Sequence, residues 1–254
     1  MRAYLAFTKK EFIENLRTYK VFIMVVVFLL FGFMSPALAK MMPDLLKTAI
    51  PAGLEINIPT PTALDSWGQF FKNVGQMGLL VLVIVFCGIM ANEFSHGTLI
   101  NILTKGLKRR TVILSKLTTA TVIWTLSYLL AFILTYYYTA YFWKMDGMYH
   151  IFLTFFSLWL FGVFLISLVI FGGTLFKNIY GSLLVTGGAM AVMMLINILP
   201  KAHKYNPIIL SSDNMSLLTA KQDVSDFMPA IIICSALIVV LVTISVMVFN
   251  KKQI

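Results

Sequence analysis

The sequence predicts an all-α polytopic membrane protein with six transmembrane helices, and three observations support this fold class. Of the 254 residues, 59% are hydrophobic and only 12% are charged, whereas soluble proteins carry about 25% charged residues. Six apolar runs have the length of about 20 residues that a helix needs to cross a bilayer core. None of the six contains Asp, Glu, Lys, Arg or His. The runs are 21–39, 73–92, 117–142, 151–176, 181–199 and 229–249.

The segment before the first run has charged and apolar side chains at helical spacing. One arc of its helical wheel holds the apolar side chains Leu5, Phe12, Leu16 and Tyr19. Such a helix can lie flat in a membrane interface; the alternative is a solvated arm. We therefore divide the chain into an interfacial amphipathic helix at 1–20 and a six-span transmembrane domain at 21–254.

Lysine and arginine are unevenly distributed among the segments that join the runs. With both termini in the cytoplasm, the inner segments hold most of the basic residues, and the outer segments are close to neutral. The net charge of +10 is then cytoplasmic, as the positive-inside rule requires. We therefore predict a multi-pass protein of the cell membrane that interacts with anionic lipid, and the charge requires no nucleic-acid partner. The prolines lie outside the spans or near their outer ends, which predicts irregular outer segments.

Several kinds of chemistry are missing from the sequence. It has no G-x-x-x-x-G-K-[ST], H-E-x-x-H or G-x-S-x-G motif, and His96, His150 and His203 stand in separate loops. The apolar runs also lack the ionisable residues that ion-coupled carriers and intramembrane proteases use. We therefore predict no catalytic residues, no metal site and no cofactor in this chain. Any energy for transport must come from a partner.

The connection after the second run has a distinctive pattern over residues 93–116, EFSHGTLINILTKGLKRRTVILSK. It resembles the pattern E-x-x-x-G-T-L-x-x-L-L-x-x-P-x-x-R-x-x-I-x-x-x-K of the ABC-2 type, type V fold, exporter permeases, the transmembrane subunits of bacterial ABC transporters. The match includes Glu93, Gly97-Thr98-Leu99, Leu103 and Lys116, with Lys105-Gly106 where such permeases often have proline. The layout of an N-terminal helix and six spans is also similar.

The resemblance implies that this connection forms a cytoplasmic coupling helix, which docks in a groove of a separate ATPase. Its apolar side chains can enter such a groove, and Glu93 can pair with a basic group at the membrane edge. The alternative is a basic loop that only sets topology. The residues assigned to ATPase coupling are Glu93, Phe94, Gly97, Thr98, Leu99, Ile102, Leu103, Arg109 and Arg110. The ATPase subunits, two per transporter, would bind ATP and Mg²⁺.

Family permeases are half-transporters, so a second copy or a paralogue would complete a dimer. By resemblance, spans two and five face the translocation path. In span five, the side chains at spacing i, i+3, i+4 and i+7 are Met190, Met193, Met194 and Asn197. Methionine makes an adaptable apolar surface, so we assign these residues to the path; ordinary helix or lipid packing is the alternative.

Two segments on the predicted outer side have helical patterns of their own. In the first, aromatic side chains recur near Asp65-Ser66, which is suited to cap a short helix. We interpret Trp67, Phe70 and Phe71 as an interfacial anchor or an outer gate. Between spans five and six, we expect short re-entrant helices near residues 208–210 and 215–218.

Together these features predict a permease subunit of an ATP-driven exporter. The uncharged spans favour a hydrophobic or amphipathic cargo, such as a peptide toxin, a bacteriocin or an antibiotic. Two alternatives remain open: a membrane scaffold or immunity protein, and a channel that needs no partner.

Overall fold

The computed structural model describes residues 2–49, 60–95, 97, 104 and 106–252. These residues form helices and no strands, and six of the helices are long and apolar enough to cross a membrane. The predicted class, an all-α polytopic membrane protein, is therefore confirmed. In chain order, spans one to six are Lys20–Leu45, Ala63–Ser95, Arg109–Phe142, Ile151–Phe176, Ile179–Ile196 and Val224–Lys251.

Twelve α-helices are named here in chain order. They are α1 Arg2–Arg17, α2 Lys20–Ala49, α3 Ala63–Asn73, α4 Leu79–Phe86, α5 Ala91–Ser95, α6 Arg109–Phe142, α7 Ile151–Phe176, α8 Ile179–Ile196, α9 Pro200–His203, α10 Ile209–Ser212, α11 Asn214–Leu218 and α12 Val224–Lys251. A π-helical segment, Val74–Gly78, joins α3 to α4. The predicted coupling helix falls largely on residues outside the described ranges.

Span two begins about ten residues earlier than the sequence predicted. The aromatic helix expected at the outer interface, α3, continues through the π-helical segment into α4, so both belong to one span. The Asp65 carboxylate accepts hydrogen bonds from the Thr62 backbone N–H at 2.7 Å and from the Thr62 hydroxyl at 2.8 Å. This capping contact defines the start of the helix about ten residues before the uncharged run.

Span one continues through Pro36 and Pro43 as part of α2, so the expectation that these prolines break the helix is wrong. Proline at position 36 cannot donate to the carbonyl of Gly32, four residues earlier. The Thr135 hydroxyl of span three donates to that carbonyl at 3.0 Å. A neighbouring span therefore satisfies the carbonyl that the proline leaves free, as bilayer-embedded helices require.

Span four is the most deeply buried helix of the bundle. It packs against spans three, five and six and against the short helices α10 and α11. The predicted short helices between spans five and six are confirmed as α10 and α11, and their side chains Leu210, Leu217 and Leu218 are fully buried. These helices therefore cover one end of the bundle.

Helix α1 packs along span three and presents two different faces. Phe7, Glu11 and Asn15 are buried against the bundle, whereas Leu5 and Leu16 of the predicted apolar arc are exposed. The predicted N-terminal helix is thus confirmed, but the side that meets protein includes the polar Glu11 and Asn15, and the apolar arc, apart from the partly buried Phe12, faces away from the bundle. This arrangement suits a helix whose outer surface contacts lipid.

Candidate functional site

Four charged side chains meet where α1, the end of span two and the start of span three come together. The Lys116 ammonium binds Glu11 Oε2 at 2.8 Å and Glu93 Oε1 at 2.9 Å. Lys10 binds Glu11 at 3.0 Å and Glu93 at 3.1 Å, and it also pairs with Glu14. We call Lys10, Glu11, Glu93 and Lys116 the ion cluster, and the end of the bundle that contains it the cluster end.

Three of the four side chains of the ion cluster are almost inaccessible to solvent, and the fourth, Lys10, is 41% exposed. Glu11, Glu93 and Lys116 are 2%, 4% and 1% exposed, respectively. Burial lowers the pKa of Lys10, but its contacts with Glu14, Glu11 and Glu93 outweigh burial and raise that pKa above its usual value. Charges buried to this degree are stable only when they are paired, so the cluster holds three helices in one arrangement.

Carboxylates of the cluster region have the spacing of a cation site. Oxygen atoms of Glu11, Glu14 and Glu93 lie within 4.8 Å of one another. The ammonium groups of Lys10 and Lys116 already contact these carboxylates, so a metal ion would have to displace a lysine. The cluster is therefore better described as a network of ion pairs than as a cation site.

Three of the residues assigned to ATPase coupling make contacts within the chain. Glu93 belongs to the ion cluster, as described above. The Phe94 ring packs edge-on against Phe249 of span six at 5.8 Å between centroids. The Arg109 guanidinium donates to the carbonyls of Phe249 and Lys252, the latter at 2.6 Å. These side chains join the connection to the ends of spans three and six, and their role in coupling stays a prediction.

The remaining coupling assignments divide into exposed residues and residues outside the described ranges. Arg110 is exposed. Gly97 has φ +64°, and among the described residues no atom lies within 4 Å of a Cβ atom added to it. Thr98, Leu99, Ile102 and Leu103 lie outside the described residues. Gly97 therefore marks a left-handed backbone position just after the cluster.

A cavity of about 830 Å³ lies between spans two and five and is bounded at one end by α10 and α11. Span two contributes residues from α3, the π-helical segment and α4, and span five contributes Leu183, Met190 and Met194 among others. The two spans that the resemblance places along a path are thus the walls of this cavity.

The predicted Met stripe is divided between different surroundings. Met190 and Met194 line the cavity, whereas Met193 is buried on another side of span five, in an apolar groove shared with spans four and six. Asn197 Oδ1 lies 2.9 Å from His203 Nδ1. Helices pack on both sides of span five, so one sequence stripe reaches two different surfaces, and only Met190 and Met194 border the cavity.

The aromatic residues assigned to an anchor or gate form part of the protein core. Trp67 and Phe70 are fully buried and Phe71 is 3% exposed. The Trp67 ring lies 5.0 Å from Phe132 of span three, and the Phe70 ring stacks at 6.0 Å on Tyr128. The anchor interpretation is therefore wrong, because an interfacial anchor presents its ring to lipid headgroups; the gate stays a prediction.

Two polar groups of the structure were not found from the sequence. Lys10 and Glu11 of the ion cluster sit among other charged residues of an amphipathic helix, so the pattern gave no reason to select them. At the opposite end, His203 Nε2 lies 2.8 Å from Asp213 Oδ2. For the ion cluster, the sequence offers one signal: Lys116 stands directly before an apolar run and is the last residue of the pattern that resembles the family.

The fold and these sites define a multi-pass membrane protein. No known family profile matches the chain. It is similar to the uncharacterized transmembrane protein YxlG of Bacillus subtilis (strain 168), with 22% identity over 214 residues, which cover 82% of this chain and 81% of that protein. This similarity agrees with a membrane protein of the same size and adds no activity.

Proposed function

We propose that this protein is the permease subunit of an ATP-driven ABC exporter, which moves a hydrophobic or amphipathic cargo across the cell membrane. The observation that carries the proposal is the cavity between spans two and five, because these are the spans that the family resemblance assigns to the path. It is open, largely apolar in its lining residues and within the size range of small-molecule sites.

The ion cluster supplies a physical link between the proposed dock and this cavity. Glu93 lies near the end of span two, which forms one cavity wall, and it is the first of the residues assigned to ATPase coupling. Lys116 joins Glu93 to span three and to α1. A force applied to the segment after Glu93 would therefore move these helices together, which is how an ATPase would change the cavity.

The proposal has consequences for partners and topology. Two permease copies, or this chain and a paralogue, would enclose the path, and two ATPase subunits would bind ATP and Mg²⁺. The cluster end would face the cytoplasm, with both chain termini on that side, because it carries the basic segments. The short helices α9–α11 would then lie at the outer end of the path.

The test uses two glycines that both have a positive φ angle and that lie at opposite ends of the bundle. Gly97 and Gly147 have φ +64° and +72°, and no atom of the residues that the structure describes lies within 4 Å of a Cβ added to either. Gly97→Trp and Gly147→Trp therefore impose similar backbone strain. Each variant is co-expressed with the candidate ATPase, purified through a tag on the permease, and assayed for vanadate-sensitive ATP hydrolysis.

We expect Gly97→Trp to lose the ATPase or its permease-dependent activity, whereas Gly147→Trp keeps both. Equal effects of the two variants would show that strain, and not a dock, causes the loss. An ATPase that co-purifies without any cargo-dependent hydrolysis would favour the scaffold or immunity protein. Flux through the wild-type chain without nucleotide would favour the channel.

A further inference from the structure

We propose that the cavity between spans two and five binds an amphiphile with one aliphatic tail, whose head carries an anionic group beside an N–H or O–H donor. The inference rests on the proposed function in treating this cavity as the cargo site. It goes further because it derives the class of ligand from the side chains that line the two ends of the cavity.

The part of the cavity nearer the cluster end has aliphatic walls. Leu79, Leu80 and Val83 of span two face Leu183 of span five and Leu165 of span four across it. Such a surface suits a flexible hydrocarbon tail more than a rigid polar molecule. The size favours a small amphiphile, because a helical peptide of about twenty residues occupies roughly 2,400 Å³ or more, well above the 830 Å³ of this cavity.

The part nearer α10 and α11 is polar, and Lys72 is its charged member. Lys72 ends α3, is exposed, and lines the cavity together with Gln76 one turn later. Within the described part of the chain, no carboxylate lies within ion-pair distance of the Lys72 ammonium. An anionic head group would therefore find an uncompensated cation here, and a charge-assisted hydrogen bond would orient it.

Asn214 adds an acceptor to the same polar end. It is 1% exposed and lines the cavity. Its Nδ2 donates to the Ser211 carbonyl at 2.9 Å, which assigns the orientation of the amide, and its Oδ1 has no hydrogen-bond partner among the described residues. Buried acceptors are normally satisfied, and this oxygen is closed to solvent, so it would bind an N–H or O–H donor of a ligand after a turn of the Asn214 side chain toward the cavity.

The nearby hydroxyl groups add acceptors of the same kind. Ser211 Oγ donates to the Ile208 carbonyl and Ser212 Oγ donates to Asp213 Oδ1. Both serines line the cavity, and with their protons used inside the protein, their oxygens can offer only lone pairs to a ligand. The head site thus combines one cationic donor with several acceptors, which fits a zwitterionic or hydroxylated anionic head better than a plain anion.

The test compares three probes that share a twelve-carbon tail. Dodecylphosphoethanolamine has the phosphate and the N–H donors, dodecylphosphocholine has the phosphate without N–H donors, and dodecyltrimethylammonium has neither. Binding of each radiolabelled probe, below its micelle-forming concentration, is measured on the full chain in phosphatidylcholine nanodiscs, with empty nanodiscs subtracted. Free phosphoethanolamine as a competitor shows whether the tail is required.

We expect dodecylphosphoethanolamine to bind at least about fivefold more tightly than either other probe. Lys72→Gln should raise its Kd at least about fivefold, whereas Lys221→Gln, an exposed lysine outside the cavity lining, should leave it unchanged. Equal Kd values for the three probes, or for wild type and Lys72→Gln, would overturn the proposal. The probe comparison uses the wild-type chain, so it remains decisive if a variant fails to fold.

The outcome separates this inference from the proposed function. If probe binding is selective and depends on Lys72, but the chain never binds an ATPase, the ligand site is supported and the proposed exporter function is refuted. An ATPase that couples through Gly97, in a chain whose probe binding ignores Lys72, would keep the exporter and reject this head-group class.

Discussion

Replacing Lys116 with methionine should destabilise the protein strongly. The variant removes a 1% exposed ammonium that binds both Glu11 and Glu93. Two buried carboxylates would then share only Lys10, whose side chain is 41% exposed. Breaking a buried pair by removing one partner costs about 3–5 kcal/mol. For a chain of this size, such a loss corresponds to a decrease of about 6–20 °C in melting temperature.

The assay heats the detergent-solubilised protein and measures the surviving folded fraction by fluorescence-detected size-exclusion chromatography. Membrane proteins often unfold irreversibly, so only apparent melting temperatures from identical heating steps are compared. The matched control is Lys9→Met, because Lys9 lies on the exposed side of the same α1 that supplies Glu11. Exposed substitutions of this kind change stability by less than about 0.5 kcal/mol.

A double variant separates loss of the pair from loss of a lysine. Glu93→Leu combined with Lys116→Met removes one charge of each sign and leaves Glu11 paired with Lys10. Apolar replacement of a buried pair is often close to neutral, so the double variant should be more stable than Lys116→Met alone. The cluster does not hold these helices together if Lys116→Met has the same apparent melting temperature as Lys9→Met. The same conclusion follows if the double variant is no more stable than Lys116→Met.

Two further predictions concern contacts between spans. Gly32→Ala should lower the apparent melting temperature, because its Cβ would lie 2.7 Å from the Ala131 carbonyl oxygen. Gly187→Ala is the control, because its Cβ meets open space, and it should be neutral or slightly stabilising. Equal melting temperatures for the two variants would contradict the close approach at Gly32. Arg109→Met should increase protease cleavage near the C-terminus, measured by limited proteolysis, because Arg109 donates to the carbonyls that end span six; unchanged cleavage relative to Arg110→Met would refute this role.

Most of the fold followed from sequence because a bilayer restricts the choice of structure. Backbone groups inside a membrane must be satisfied internally, so an apolar run of about twenty residues becomes a helix. Boundaries were less certain where charged residues occur inside a helix. Lys72 stands just before the start of the predicted second run, yet α3 begins at Ala63 and places that lysine beside the cavity. The expectation that proline breaks the helix was wrong at Pro36, because a hydrogen bond from Thr135 replaces the one that Pro36 removes.

The sites show a sharper division between the two sources of information. The pattern from Glu93 to Lys116 selected both ends of a pair that the structure places 2.9 Å apart. It did not select Glu11, which is 105 residues from Lys116 in the chain. Helical spacing likewise grouped Met190 with Met193, although only Met190 borders the cavity. Periodicity describes one helix, and it carries no information about which neighbours cover each side.

The sequence by itself determined a six-span helical membrane protein, its apolar interior and the distinctive connection after span two. These properties depend on local chain length and composition, which the bilayer converts directly into helices. Only the tertiary structure decided that α1 buries Glu11, that the buried Asn214 keeps an acceptor without a partner among the described residues, and that Trp67 belongs to the core. Burial and pairing depend on atoms brought together from distant parts of the chain, and packing alone determines those neighbours.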